Sequence, residues 1–385
     1  MIKKDTENGK KKYEKSEIDE IRARKLDNQQ TDLNNNVDTR LSPSITDEEN
    51  DIYWLHLSDF HIEPDERHNT SPIFKALKND IEKLMEEYSI SSFDFIIVTG
   101  DLGYSGENND YKEVESLLDS ILGYTNTPRK NLFIVPGNHD VNRKIVENQK
   151  DQIKTDWKSV TDANNFMKGD KTILRGFFNK FKGYSKFIEN YFEGTRAFNH
   201  ESNFSTHLLP IKGKKVALIG LNSCLISGKD LEEGTLMITE NQLNLALERF
   251  TQEGHFNCDL EHIPIRICFF HHPLDCISRI ERKITDIIIY RNFNFLLNGH
   301  IHDSAYDVNT KGGRHKLINI IAGSTFIRGE PPKEEKQCYN IIKINSETLK
   351  GYGYFRKLDK GAADWGIDTS VGNEFGIAEV KVKEE

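Results

Sequence analysis

The chain has 385 residues, enough for one enzyme domain of about 300 residues with flanking segments. A formal charge of −9 and a pI of about 5.9 argue against capture of nucleic acid by the molecule as a whole, leaving only a local basic groove for that role. Five cysteines without C-x-x-C spacing exclude a disulfide framework and a cysteine zinc site, and reduced thiols point to the cytoplasm.

Residues 1–49 are rich in Lys, Glu, Asp, Asn and Gln, and the apolar stripe of Glu14 to Lys25 is little more than Ile18 and Ile21. Such a segment does not hold a helix alone, so a disordered or weakly helical arm is expected. Its functional alternative is docking to a partner protein or a second subunit. No apolar leader follows Met1, and no uncharged run approaches the roughly 18 residues of a membrane span, so a soluble, unsecreted protein without membrane contact is expected.

The folded part is expected over 50–357. A strand at 53–57 opens it, and Ser71-Pro72 starts a helix whose apolar face runs through Ile73, Ala76, Leu77, Ile81, Leu84, Met85 and Tyr88. Strand 94–98, a helix on Tyr111, Val114, Leu117, Leu118 and Ile121, and strand 132–135 complete a β-α-β-α-β alternation that predicts parallel pairing. Residues 145–205 interrupt it with helical pattern and an aromatic stripe from Phe177 to Phe192. That stripe reads as core; the alternative is a cap whose rings stack on bases.

Strands at 206–211 and 215–221 flank a hairpin turn, Lys212-Gly213-Lys214, and Thr239 caps a helix running through Phe250. Strand 265–270, a helix near 278–289 and strand 293–297 follow, and the remainder, read as strands at 305–308, 315–321, 339–344 and 349–355, implies a second sheet. Residues 358–385, rich in Gly and charge, read as a C-terminal tail.

Five apolar runs end at reactive side chains. Trp54-Leu55-His56-Leu57 leads into Ser58-Asp59-Phe60-His61, and Phe95-Ile96-Ile97-Val98 into Thr99-Gly100-Asp101. Phe133-Ile134-Val135-Pro136 leads into Gly137-Asn138-His139-Asp140, Ile267-Cys268-Phe269-Phe270 into His271-His272, and Phe295-Leu296-Leu297 into Asn298-Gly299-His300-Ile301-His302. Open α/β sheets place ligands outside the carboxyl ends of their strands. Carboxylates and neutral imidazoles without a thiolate suit divalent Mn, Fe, Zn or Mg. The donors are too many for one ion. Two ions roughly 3.5–4 Å apart need a shared ligand, and Asp101 is the natural candidate. In Asp59-Phe60-His61 and His300-Ile301-His302 the polar pair is spaced i, i+2, which on an extended segment places both side chains on one face. Gly137 serves either unusual backbone angles or close approach of the ion.

These blocks, in this order over residues 53–325, resemble the D-x-H, GD, GNHD, H and GHxH pattern of the calcineurin-like metallophosphoesterase superfamily. The resemblance implies a four-layer α/β/β/α sandwich with two mixed sheets, the 145–205 region being a helical insert. It assigns Asp59, His61 and His302 to one metal ion, Asn138, His271 and His300 to the other, and Asp101 to both. It makes His139 the general acid and a hydroxide bridging the ions the nucleophile. His272 is expected behind the ligands or facing substrate, Arg143 on the phosphate, His56 packed in its strand, and Asp140 orienting the turn. Asn222-Ser223 and Gly103-Tyr104 depart from the Asp-Ser and the acidic residue of many relatives.

Within the superfamily, Gly100-Asp101-Leu102 followed by Ser105-Gly106 and then Pro136 to Asp140 is most similar to the cyclic-nucleotide phosphodiesterase-like branch. A cyclic nucleotide or similar diester is therefore the expected substrate. A nuclease on single-stranded DNA or RNA, similar to the double-strand-break-repair nucleases of the superfamily, and a non-catalytic interaction module are the alternatives.

Overall fold

A computed structural model describes residues 49–64, 71–149, 157–228, 234–311, 315–326, 336–359 and 364–382. The arm expected over residues 1–49 lies outside them apart from Glu49.

The sequence alternation becomes three parallel strands: β1 (Asp51–Leu57), β2 (Phe95–Val98) and β3 (Leu132–Ile134), joined by helices α1 (Pro72–Glu87) and α2 (Tyr111–Tyr124). All seven residues of β1 are buried, which is why its sequence shows a near-continuous apolar run. β1 also pairs antiparallel with β10 (Cys338–Asn345), which leads to β11 (Lys350–Asp359). The second sheet has the order β4-β5-β6-β7-β9-β8, from β4 (Ser205–Ile211), β5 (Lys214–Gly220), β6 (Ile265–Phe269), β7 (Phe295–Asn298), β8 (Ala305–Lys311) and β9 (His315–Ile321). Its strands β5, β6, β7 and β9 run parallel, and β4 and β8 pair antiparallel at the edges.

Side-chain alternation stacks the layers. Val216, Leu218, Ile265, Ile267, Phe295, Leu297, Ile318 and Ile320 join Ile52, Trp54, Phe95, Phe133, Ile342 and Ile344 in the core between the sheets. The intervening Ala217, Ile219, Cys268, Leu296 and Leu317 pack instead with Leu243, Ala246, Phe250, Ile289 and Tyr290. Those last five belong to helices α7 (Glu240–Thr251) and α8 (Arg279–Asn292). The outer face of the first sheet carries α1, whose buried Asp80 accepts Tyr339 Oη at 2.5 Å and Arg356 Nε at 3.0 Å. The result is the four-layer α/β/β/α architecture.

That Asp80 pair gives a stability prediction. Asp80→Ala leaves the largely buried Arg356 guanidinium without its carboxylate, a change that costs about 3–5 kcal/mol. Urea unfolding should show the loss, whereas a loss under about 1 kcal/mol would mean that the pair behaves as a solvated surface bridge.

Two expectations need correction. The strands at 339–344 and 349–355, expected with 305–321 in a second sheet, are β10 and β11, which extend the first sheet from β1. Residues 358–385 are not simply a tail. β12 (Asp364–Ile367) and β13 (Ile377–Lys381) both pair with β11, burying Trp365, Ala378 and Val380. The aromatic insert is core, as its helical spacing predicts, and its rings are not open to the alternative of stacking on bases. Phe177, Phe178, Phe181, Tyr184, Phe187, Tyr191 and Phe192 are all buried, stacking on one another and on Tyr111 of α2, 5.0 Å from Phe187 between ring centroids. Helices α4 (Val160–Met167), α5 (Lys171–Phe178) and α6 (Lys182–Tyr191) thus form a buttress. Gly183 of α6 sits so close to Gly106 that a Cβ there would overlap the Gly106 carbonyl, pressing the insert against the loop that follows Asp101. A short helix, α3 (Arg143–Gln149), precedes the three.

Candidate metal centre

The five strand ends meet. Asp59 and His61 follow β1, Asp101 follows β2, Asn138 and His139 lie in the single 3₁₀ turn Asn138–Asp140 after β3, His271 follows β6, and His300 and His302 follow β7. Asp59 Oδ1 stands 3.2 Å from His302 Nε2 and 3.6 Å from His61 Nε2, and those two nitrogens are 3.1 Å apart. Across the site, His271 Nε2 lies 3.0 Å from Asn138 Oδ1 and 3.2 Å from Asp101 Oδ2. That same Asp101 oxygen is 3.9 Å from His61 Nε2, so Asp101 touches both halves. The ring of His300 packs 5.2 Å from that of His271, with their ligating atoms in one group that also includes His272.

The backbone brings these side chains together by an unexpected route. Asp59, His61, Asp101, His300 and His302 all have positive φ, from 47° to 74°. The i, i+2 pairs therefore converge through left-handed turns, not along an extended segment. Each such non-glycine residue costs about 1–3 kcal/mol, strain that persists only where the surroundings fix it. Gly137, by contrast, is extended, with φ −104°. Its role is close approach, but of Asp101: a Cβ at Gly137 would overlap Asp101 Oδ1, and one at Gly299 would overlap Ser58 Oγ and come within 2.6 Å of Asp59 Oδ2.

Further polar contacts fix the donors. Thr99 O accepts His271 Nδ1–H at 2.7 Å, leaving Nε2 turned into the site. Ser58 Oγ donates to Asp59 Oδ2 at 2.5 Å, and the same oxygen accepts His300 N–H at 3.0 Å. Asp101 Oδ1 accepts His139 N–H at 2.7 Å. Asp140 accepts from the amides of Gly137, Gly103 and Leu102 and from Tyr111 Oη, tying the Gly-Asn-His-Asp turn to the Asp101 loop. Ser58, Thr99 and Tyr111 were not singled out from the sequence. For Ser58 and Thr99 the available signal was their position directly before the acidic blocks.

Burial is the largest influence on both carboxylates and would raise them, but His271 with His302 and His61 holds Asp59 well below the usual range, and His271 does the same for Asp101. Burial also opposes charge on His271, yet Asp101 and Asp59 push it up to about 10. His300 is pushed down to about 3 by burial and then by His272 and His271. It is therefore neutral, the form in which imidazole binds metal.

The donor set fits divalent cations. Asp59 Oδ1 is buried and makes no hydrogen bond although His302 stands near it, a group left to accept a cation. A second acidic group among the described residues, Asp303, Cys338 and Asp368, has its carboxylates countered by Lys336 at 2.9 Å and Lys357 at 3.7 Å.

The remaining expected residues divide. His56 is packed, Nε2 3.1 Å from Thr99 Oγ1, its pKa pushed down to about 3 by burial. His272 is fully buried, its Nδ1 2.8 Å from Ser223 Oγ and its ring 4.5 Å from that of His300. It lies beside His271 and His300, whose ligand atoms form one group with its own. Arg143 is exposed at the start of α3, close enough for its charge to act on His139.

Residues 54–304 match the family described as calcineurin-like phosphoesterase, and the chain belongs to that family. It is similar to an uncharacterized metallophosphoesterase-like protein, YydB, of Bacillus subtilis (strain 168), with 26% identity over 306 residues, 78% of this chain and 59% of that protein. The chain thus spans about three fifths of the length of this curated relative. Among solved structures it is similar to Vps29 of Chaetomium thermophilum (9% identity, TM-score 0.34, 86% of this chain and 100% of the other). A hypothetical protein from Thermus thermophilus is another (12% identity, TM-score 0.37, 80% and 99%). No described helix is long and apolar enough to cross a membrane.

The glycine contacts make a prediction. Gly137→Ala should displace Asp101 and weaken metal binding by at least about 10–100-fold, the range seen when groups that orient ligands are lost, while circular dichroism stays that of a folded chain. Calorimetric titration with manganese checks it, and unchanged affinity would remove Asp101 from the ligand set.

Proposed function

We propose that the protein hydrolyses a phosphodiester, a cyclic nucleotide or similar nucleotide diester, with two divalent ions. Asp59, His61 and His302 would hold one ion, Asn138, His271 and His300 the other, and Asp101 would serve both. The observation that carries this reading is the position of Asp101 Oδ2, near His61 Nε2 on one side and His271 Nε2 on the other. Ions in such a site supply Lewis-acid polarisation of the phosphate and an activated water.

The chain's own groups do the rest. Thr99 O and Asp140 hold His271 and the turn in place. Arg143, exposed beside the site, offers a guanidinium to phosphate oxygens. His139 Nδ1–H donates to Tyr104 O at 2.8 Å, which leaves Nε2 as the nitrogen to hold a proton for the departing oxygen; burial lowers the ring's pKa and Asp101 favours the protonated form that this role needs. The free cysteines, all buried except the half-buried Cys258, fit a cytoplasmic setting.

Hydrolysis of bis-p-nitrophenyl phosphate, with the monoester in parallel, tests the proposal. Diester cleavage should stop on chelation and return with manganese. Monoester preference would sink the diester assignment, and faster cleavage of single-stranded DNA or RNA than of small diesters would move the reading to a nuclease.

A further inference from the structure

A cavity of about 190 Å³ lies apart from the metal centre, between the end of β3, helix α6 and the segment leading into β4. None of the seven proposed metal ligands lines it. Its apolar wall includes Ile188, Phe198 and Leu221, and its polar wall is basic: Arg196, Arg249 and His207, with no Asp or Glu on the lining. Arg196 stacks on Phe192 at 4.0 Å and donates to the carbonyls of Leu132 and Lys130. Arg249 stacks on Phe204 at 4.4 Å. No described carboxylate pairs with either arginine.

Buried or half-buried cations are normally paired, and burial lowers the pKa of both arginines. Burial and then these two charges push His207 down to about 3, so it stands as a neutral donor instead of a third cation. Guanidinium groups hold five donors each, and the Arg196 carbonyl partners leave part of its fork open. An apolar cavity of about 150 Å³ holds a benzene ring. This one has room for a ring and a small oxyanion, in the usual pattern of apolar walls with a few convergent polar groups.

We infer that this cavity is a binding site for a single-ring organic anion, its ring against Ile188, Phe198 and Leu221 and its oxyanion against Arg249 and Arg196. Charge selects the ligand and the apolar wall orients it.

The test is calorimetric titration of the full chain with benzoate, with benzyl alcohol as the uncharged ring. Benzoate should bind the wild type and Asp101→Asn alike, and at least tenfold more tightly than benzyl alcohol. Arg249→Gln, which removes a charge that among the described residues meets the Phe204 ring and no carboxylate, should weaken benzoate at least tenfold. Ile188→Phe, which fills the cavity and keeps both arginines, should do the same. Benzoate binding unchanged in both variants, abolished in Asp101→Asn, matched by benzyl alcohol, or absent from the wild type at concentrations that saturate a millimolar site would overturn the inference.

Discussion

Asp101→Asn is expected to lower phosphodiester turnover on the order of 10³-fold or more, because removing a shared ligand forfeits several kcal/mol of charge stabilisation on the phosphate. The substitution keeps the shape of the side chain and one carbonyl oxygen. Asp101 Oδ1 already accepts the His139 amide at 2.7 Å, and an asparagine oxygen can do the same. What is lost is the anionic oxygen near His61 and His271. The folded chain should therefore persist while bound metal falls. Metal content by elemental analysis, read beside turnover, separates the possibilities. Both sites emptied together means a shared ligand; one ion retained with turnover lost means that Asp101 belongs to one side; full metal with full turnover removes it from the centre. Asp59→Asn makes the comparison, since Asp59 sits with His61 and His302 and is engaged by Ser58 and His300 through its other oxygen. It should empty one ion preferentially.

Much of this centre was legible in the sequence because its strands are buried on both faces. A strand such as β1, covered from Asp51 to Leu57, leaves an apolar run that stops where the site begins, and five such stops mark the candidate site in the sequence. The backbone at the stops was not legible. Spacing alone suggested extended Asp59-Phe60-His61, whereas φ of 55° and 47° turns both residues left-handed, a conformation set by tertiary contacts. Asp140 shows a similar limit: its partners Tyr111, Leu102 and Gly103 lie 29 to 38 residues away, and no local pattern announces them. At the C-terminus the signal was weak for another reason. β13 buries alternate residues only, and Gly372 and Gly376 with positive φ interrupt the segment before it, so composition resembled a tail. The aromatic insert was readable as core by its helical spacing; its position against Gly106 was not.

His139→Ala is expected to leave metal content near that of the wild type and to lower kcat about 10²–10⁴-fold for diesters with poor leaving groups. With p-nitrophenolate, which departs without a proton, the loss should be small. The expectation follows from how His139 is held. Its ring lies half-buried beside His61, 4.6 Å between centroids, and its Nδ1 is committed to the Tyr104 carbonyl. Nε2 alone remains to act. It could hold a proton or bind an ion, because the Nε2 or Nδ1 atoms of His139 and His61 and an oxygen of Asp101 fall within 4.8 Å of one another. The alanine variant distinguishes the two roles. A proton donor, once removed, makes the rate depend more steeply on leaving-group pKa at constant metal content. A ligand, once removed, takes an ion with it and lowers the rate for good and poor leaving groups alike. A series of aryl diesters spanning several units of leaving-group pKa, assayed with metal content measured on the same samples, decides between them, and lost metal with an unchanged leaving-group slope would place His139 among the ligands.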